Sequence, residues 1–232
     1  MRRFWKQADY RPSATGWQIF LDTRELKTPM GQPLELPSEG LASAIAGEWQ
    51  QAGEEIQPDR MPQFSLAATV LDRVRPQRGS LQEEMTRYGL NDLLCYRTDT
   101  DDGLAARQRE NWDPWLDWLA SRHRLQLAVT DGVMPLQQSA EAAARWPQLL
   151  EVLDDWRLGM LVRAAQLGGS AVLGLAFVEG AIEAADLHSL AFLDEIWQAE
   201  KWGQDGEAEE RRTAIAAELA EAGRLLSLLE AG

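Results

Sequence analysis

The sequence predicts an α+β fold, in which a small N-terminal antiparallel β domain with covering helices precedes a larger, all-helical C-terminal domain. Three observations lead there. Strand-like alternation is confined to the first 36 or so residues. After residue 80, alanine, leucine, glutamate and arginine dominate, all strong helix formers, and no strand signal of any length recurs. Between the two lies Arg75-Pro76-Gln77-Arg78-Gly79-Ser80, where two backbone breakers sit among polar residues at the composition shift. The expected domains are 1–77 and 78–232. With 232 residues, 45% of them hydrophobic, the chain can bury one large core or two small ones.

The N-terminal elements follow from local pattern. Trp17, Ile19 and Leu21 recur at period two and share one face of a strand. Asp22-Thr23-Arg24 can turn and Leu26-Lys27-Thr28 can return. Pro29 to Pro33 form a second turn before a short strand at Leu34-Glu35-Leu36. Such a meander is marginal unless covered. Ser38 is a good N-cap for a helix through Leu41, Ile45, Trp49 and Ala52, stopped at Gly53, and Pro62 opens another through Leu66, Val70 and Val74.

The second half reads as successive helices. Asp102 to Leu119 is one, with Pro114 as the start of a new segment inside it. Ala140 to Leu153 and Trp156 to Leu167 are two more. Ser170 to Val178 is short, apolar and rich in small residues, which suits a central helix. The apolar stretch from Leu158 to Val178 is interrupted by Arg163, Gln166 and Gly168-Gly169, so it reads as a buried helix pair rather than a membrane span. Ala181 to Trp202 is helical, Gly203 to Gly206 a loop. Ile215, Leu219, Ala222, Leu226 and Leu229 give a final helix an apolar stripe that can pack on the rest of the chain or present itself to a partner.

Composition excludes several functions. A net charge of −14 repels phosphate backbones and anionic lipid, arguing against nucleic acid and against a membrane surface. The single cysteine, Cys95, lies in an apolar run and reads as a buried, inert thiol. No disulfide within the chain is possible, which fits a reducing compartment. Arg2-Arg3 leads into Phe4-Trp5-Lys6-Gln7 rather than an apolar core, so no signal peptide is read. A soluble protein of the bacterial cytoplasm is expected, or of the mitochondrial matrix if organellar.

Catalytic and ligand motifs are sparse. One cysteine and two distant histidines, His123 and His188, offer no zinc spacing, and no metal or cofactor is expected. Gly169-Ser170-Ala171-Val172-Leu173-Gly174 has the glycine spacing of a phosphate loop, but Leu175-Ala176 follows where Lys-Ser/Thr would be needed. Asp99-Thr100-Asp101-Asp102-Gly103 fails as a calcium loop, because Thr98 and Arg109 would fall at its carboxylate positions. His123, in Ser121-Arg122-His123-Arg124, reads as solvated, and His188 as a satisfied helix histidine. No Gly-x-Ser-x-Gly elbow is present, and no catalytic residue is assigned.

The most distinctive stretch is Leu193-Asp194-Glu195-Ile196-Trp197-Gln198-Ala199-Glu200-Lys201-Trp202-Gly203. Leu190, Leu193 and Trp197 form an apolar stripe, Asp194 sits at its rim, and Glu195 and Trp202 lie on other faces. Further stretches accompany it: Arg3-Phe4-Trp5-Lys6, Leu21-Asp22-x-Arg24-x-Leu26-Lys27-Thr28-Pro29, Leu36-Pro37-Ser38, Ala44-Ile45-Ala46-x-Glu48-Trp49, Met61-Pro62 and Trp112-Asp113-Pro114. In number and order these resemble the ATP-twelve family, the assembly chaperones of the alpha subunit of the F-type ATP synthase head, in a bacterial form.

The resemblance implies a monomeric, non-enzymatic protein that binds the unassembled alpha subunit, shields the surface later covered by beta, and hands it over. It implies an acidic residue, usually glutamate in the family, with a role in binding or releasing the client. Asp194 and the adjacent Glu195 both stand at that point. Partner-binding candidates are Asp194, Glu195, Lys201 and Trp202. Two other classes remain open: a hydrolase-like enzyme with an unrecognised carboxylate site, and a constitutive scaffold subunit.

Overall fold

A computed structural model describes residues 2–99, 103–132 and 134–231. The acidic loop Asp99–Gly103 lies partly outside the described residues. The chain forms two compact units, one of residues 1–78 with 221–232 and the other of residues 79–220. The architecture is a small antiparallel sheet with covering helices followed by a mostly helical region, as the sequence predicts. Among the described residues, no helix is long and apolar enough to cross a membrane.

In the first unit, β1 (Ala8–Pro12), β2 (Trp17–Leu21) and β3 (Arg24–Glu25) form an antiparallel sheet in that order, with Tyr10 opposite Ile19 and Phe20 opposite Glu25. Ile19 and Leu21 point into the core, as their alternation requires. Asp22 makes the β2–β3 turn in the left-handed region, at φ 56°, and its carboxylate accepts from the Lys6 and Gln7 amides. The expected strands at Leu26–Thr28 and Leu34–Leu36 shrink to single bridges, Lys27 to Pro33 and Leu36 to Trp17. Pro29 and Pro33 have no amide to donate, so a ladder cannot continue through them.

Helix α1 (Glu39–Gln51) covers the sheet with Leu41, Ile45 and Trp49, and Ser38 caps it by accepting from the Leu41 amide. Helix α2 (Pro62–Thr69) starts at the expected proline and runs into a wider, π-helical turn at Val70–Val74. Glu48 of α1 caps α2: its two carboxylate oxygens accept from the Gln63 and Phe64 amides at 2.8 and 2.9 Å. Trp5 packs against Trp49 and donates to its carbonyl.

The last helix, α10 (Gly206–Glu230), departs from the expected division: residues 221–232 join the first unit. Ser38 Oγ donates to the Leu228 carbonyl at 2.6 Å, the Gly40 amide to the Ala231 carbonyl at 3.0 Å, and Gln63 Nε2 to Glu221 at 2.7 Å. A Cβ on Gly40 would stand 2.8 Å from the Ala231 oxygen, so only glycine lets these backbones approach. Nothing in the stripe of α10 by itself announces these partners.

The second unit contains α3 (Arg78–Leu90), α4 (Leu104–His123), α5 (Ala140–Glu151), α6 (Asp155–Gly168), α7 (Ala171–Val178), α8 (Ala184–Ala191), α9 (Leu193–Trp202) and the first part of α10. All eight residues of α7 are buried, and α6 and α7 form the expected pair joined at Gly168-Gly169. A parallel pair of two-residue strands, β4 (Tyr96–Arg97) and β5 (Thr130–Asp131), is too short to leave a periodic signal. Helix α4 runs through Pro114 without the expected restart. Glu110, whose carbonyl Pro114 cannot serve, and Pro114 itself are both exposed residues. The stretch from Ala181 to Trp202 instead breaks at Phe192 into α8 and α9.

The N-terminus of α7 is where the phosphate-loop-like glycines fall, and it holds an internal anion. Buried Asp92 accepts from Ser170 Oγ at 2.7 Å, from the Val172 amide at 2.9 Å, from the Ala171 amide and from the Leu94 amide at 3.0 Å. Ser170 Oγ in turn accepts from the Leu173 amide. One carboxylate thus serves the starts of α7 and of the short 3-10 turn Leu93–Cys95. Burial pushes the Asp92 carboxyl up to about 6, with the amide donors pulling it down. Cys95 is buried beside it, its thiol pushed up to about 12 by burial.

His123 is not solvated, as expected from its charged neighbours, but buried at 9% exposure. Arg124 ends α4 in the left-handed conformation, at φ 54°, and His123 Nε2 lies 3.2 Å from Glu179 with its ring against Trp118. His188 is half-buried and its Nε2 meets the Arg212 carbonyl at 3.0 Å, the satisfied helix histidine the sequence predicts.

Two predictions follow from this core. Asp92→Ala strands buried donors and should destabilise the protein by about 3 kcal/mol, lowering Tm by roughly 6–12 °C in thermal denaturation. Burial lowers the pKa of His123 below its ordinary 6.5, with Glu179 opposing. The unfolded chain therefore takes up that proton first, and the stability held above about pH 6.5 is lost as pH falls below it. The Tm advantage of the wild type over His123→Gln should accordingly be largest near pH 8 and shrink toward pH 5.5.

Candidate functional site

Helix α9 carries all four sequence-derived candidates, and its placement rests on the break before it. Phe192 leaves helical geometry at φ −104°, ψ 19°, and no side chain caps either flanking helix. Two groups on α4 bridge the gap. Trp112 Nε1 donates to the Leu190 carbonyl at 3.0 Å, one of the orphan acceptors at the end of α8. Gln108 Nε2 donates to both carboxylate oxygens of Asp194, at 2.9 and 3.1 Å, in the first turn of α9.

Gln108 is 1% exposed and every polar group of its side chain is engaged. Its Oε1 accepts from the Thr98 amide at 2.9 Å, while its backbone carbonyl accepts from Arg97 Nη1 at 2.8 Å. Arg97 reaches on to Asp113 at 2.8 Å and lies over the Trp112 ring, 5.0 Å from its centroid. Burial lowers the Arg97 pKa, with Asp113 opposing. The set Arg97, Gln108, Trp112, Asp113 and Asp194 is therefore one connected polar network, in which few groups could be removed without leaving a buried partner unmet. Asp194 takes Gln108 as partner rather than Gln198 or Lys201 on its own helix.

The remaining candidates are held differently. Glu195 is half-buried and pairs with Arg211 at 2.7 Å and Arg212 at 3.4 Å on α10. Lys201 is exposed, its ammonium 4.7 Å from the Trp197 ring centroid, and Arg107 approaches the same ring at 5.5 Å. Arg107 also pairs with Glu200, whose hydrogen bonds raise the Arg107 pKa and lower that of Glu200. Trp197, expected in the core, is only half-buried: its ring sits among these cations, with its edge over Gly103. Trp202 is 75% exposed, opposite the buried Leu193 on the helix wheel. Exposed ion pairs such as Arg107–Glu200 fix a helix only weakly, so the partly buried Gln108–Asp194 contact is the firmer attachment.

Sequence reasoning missed Gln108, Arg97 and Arg107. The available signal was spacing: Leu104, Gln108 and Trp112 fall at i, i+4 and i+8, so a neutral polar residue occupies an apolar stripe.

Among the described residues, two open grooves lie elsewhere on the surface. One, of about 740 Å³, lies in the first unit and is lined by Glu48, Gln51, Glu55, Arg60, Met61 and Arg224. Burial raises the Glu48 pKa, but both of its oxygens are already held by the α2 amides. The other, of about 560 Å³, lies between the end of α4 and the start of α5. Among the described residues, no group of histidine, cysteine, aspartate and glutamate is arranged to hold a metal ion.

Known proteins resemble this chain along its length. The model of a family described as ATP12 chaperone protein matches residues 2–120. Over 221 residues the chain is 27% identical to mitochondrial protein atp12 of Schizosaccharomyces pombe, covering 90% of this chain and 76% of that one. The crystal structure of Atp12 from Paracoccus denitrificans superimposes with a TM-score of 0.94 at 39% identity, over 98% of each chain. A variant of the Paracoccus protein with lysine in place of an aspartate gives 0.94 at 38% identity, over 98% of this chain and 97% of that one. The chain belongs to the ATP12 chaperone family, the assembly chaperones of the ATP synthase.

Proposed function

We propose that the protein binds the unassembled alpha subunit of the F-type ATP synthase head, shields its beta-facing surface from aggregation, and releases it as the beta subunit arrives. The observation that carries the site is Trp202, a large apolar side chain left 75% exposed at one end of a helix whose other end is anchored by Leu193 and the Gln108–Asp194 hydrogen bonds. Tryptophan is enriched among the few residues that dominate interface energies, because it buries much area at little entropic cost. Lys201 stands beside it, while Asp194 and Glu195 form the other end of the client-binding helix.

The physical demand on such a protein is simple. An unassembled subunit exposes a large apolar interface, and such surfaces aggregate. A protector that competes with beta must bind less tightly than beta does, or it would not be displaced. The exchange needs no catalysis, nucleotide or metal. The protein acts as a monomer in the cytoplasm, and its net charge of −14 keeps it off nucleic acid and anionic membranes.

Light scattering tests this reading. Alpha subunit diluted from denaturant should aggregate alone and stay clear with an equimolar amount of this protein, and adding beta should transfer it. Trp202→Ala should weaken protection about tenfold, while leaving Tm within about 1 °C, since an exposed side chain contributes little to the fold. Full protection by Trp202→Ala would remove Trp202 from the client surface. No protection by the wild type would refute the proposed function.

A further inference from the structure

Resting on the reading above, we propose that Asp194 acts on the client through Gln108: the pair positions α9, and Asp194 is a positioning residue rather than a contact. A carboxylate that touched a client would be expected to face outward with its oxygens open. Here both oxygens of Asp194 receive the same buried amide, Gln108 Nε2. That amide belongs to a side chain fixed at its other end by the Thr98 amide and at its backbone by Arg97. It cannot turn away without leaving a buried donor or acceptor unmet.

The location of the pair gives it leverage. The helix is interrupted at Phe192, whose amide still closes α8 onto the His188 carbonyl and whose carbonyl accepts from the Ile196 amide of α9, so the direction of α9 rests on this one non-helical residue and on the side chains packed around it. The Trp112–Leu190 bond holds one side of the break and the Gln108–Asp194 bond the other. Trp202 lies two turns beyond Asp194, roughly 12 Å along the axis at 1.5 Å per residue. A tilt of about 10° at Asp194 would displace Trp202 by about 2 Å at that distance, enough to spoil docking of a tryptophan into a fitted pocket. Leu193, buried in the first turn, and Phe192, buried at the break, anchor the base of α9 beside the pair, whereas its further polar attachments, through Glu195 and Glu200, lie at exposed or half-exposed pairs that solvent screens.

An isosteric exchange separates positioning from contact. Asp194→Asn keeps one acceptor for Gln108 and removes the charge. Gln108→Glu sets two carboxylates against each other. The two substitutions together restore a hydrogen bond of the same length with donor and acceptor reversed, and move the charge from the rim to the interior. Affinity for labelled alpha subunit would be measured at 15 °C, with near-ultraviolet circular dichroism confirming that each variant is folded.

Positioning predicts that Gln108→Glu binds at least tenfold more weakly, that Asp194→Asn loses about two- to threefold, and that the double variant returns to within about threefold of wild type. Direct contact by the acid predicts the opposite pattern: Gln108→Glu near wild type, with Asp194→Asn and the double variant equally weak. That pattern, or a folded double variant no better than Gln108→Glu, overturns the proposal. Wild-type protein that fails to bind alpha overturns the functional reading as well, whereas failure of the rescue alone leaves that reading standing.

Discussion

The buried carboxylate of Asp92 is the contact on which the helical unit is built. Helix α7 is apolar on all sides and buried along its length, so its first amides cannot turn to water. Asp92 and Ser170 satisfy them from within the chain. Because the same carboxylate also takes the Leu94 amide, it fixes the chain just before β4 to the start of α7. This is the physics of an anion at a helix N-terminus, with a side chain in the role a phosphate takes elsewhere. The glycine spacing that looked like a nucleotide loop in the sequence is thereby accounted for, and the site is filled by the protein itself.

From that centre the constraints pass outward by contact. Helix α7 packs against α4, and α4 presents Gln108 and Trp112 to the break between α8 and α9. Arg97, in the chain following Asp92, ties to the carbonyl of Gln108 and to Asp113. The result is a helix whose base is held by a connected hydrogen-bond network and whose far end exposes one tryptophan. Rigidity at the base and an apolar residue at the tip are what a reversible binder of an apolar surface requires: contact area without a large cost of ordering on binding. The peripheral pairs of Glu195 and Glu200 limit the remaining freedom without closing the surface.

What was legible in the sequence is what local pattern can encode. The alternation of Ile19 and Leu21, the cap at Ser38, the proline opening at Pro62 and the apolar α7 each carry their own signal, and the structure places them accordingly. What was not legible depended on partners distant along the chain. Arg122 and Arg124 made His123 look solvated, yet Glu179 and Trp118 enclose it. The stripe of α10 said that it packs, but Gly40, Ser38 and Gln63 decide where its last residues go. Pro114 marked a break that α4 does not make; it and Glu110, the residue whose carbonyl it orphans, both lie on the exposed side of the helix. At the candidate site, Asp194, Glu195, Lys201 and Trp202 could be named from one segment, whereas their roles could not. Gln108, the hydrogen-bond partner of Asp194, lies 86 residues away.

The central claim is that the client meets the exposed end of α9. Hydrogen–deuterium exchange of the protein with and without bound alpha subunit tests it most directly, because it reports every amide at once. The account predicts that protection on binding concentrates at residues 198–206, around Trp202, while the groove lined by Glu48 and Arg224 exchanges as in the free protein. Protection confined to that groove, with residues 198–206 unchanged, would contradict it.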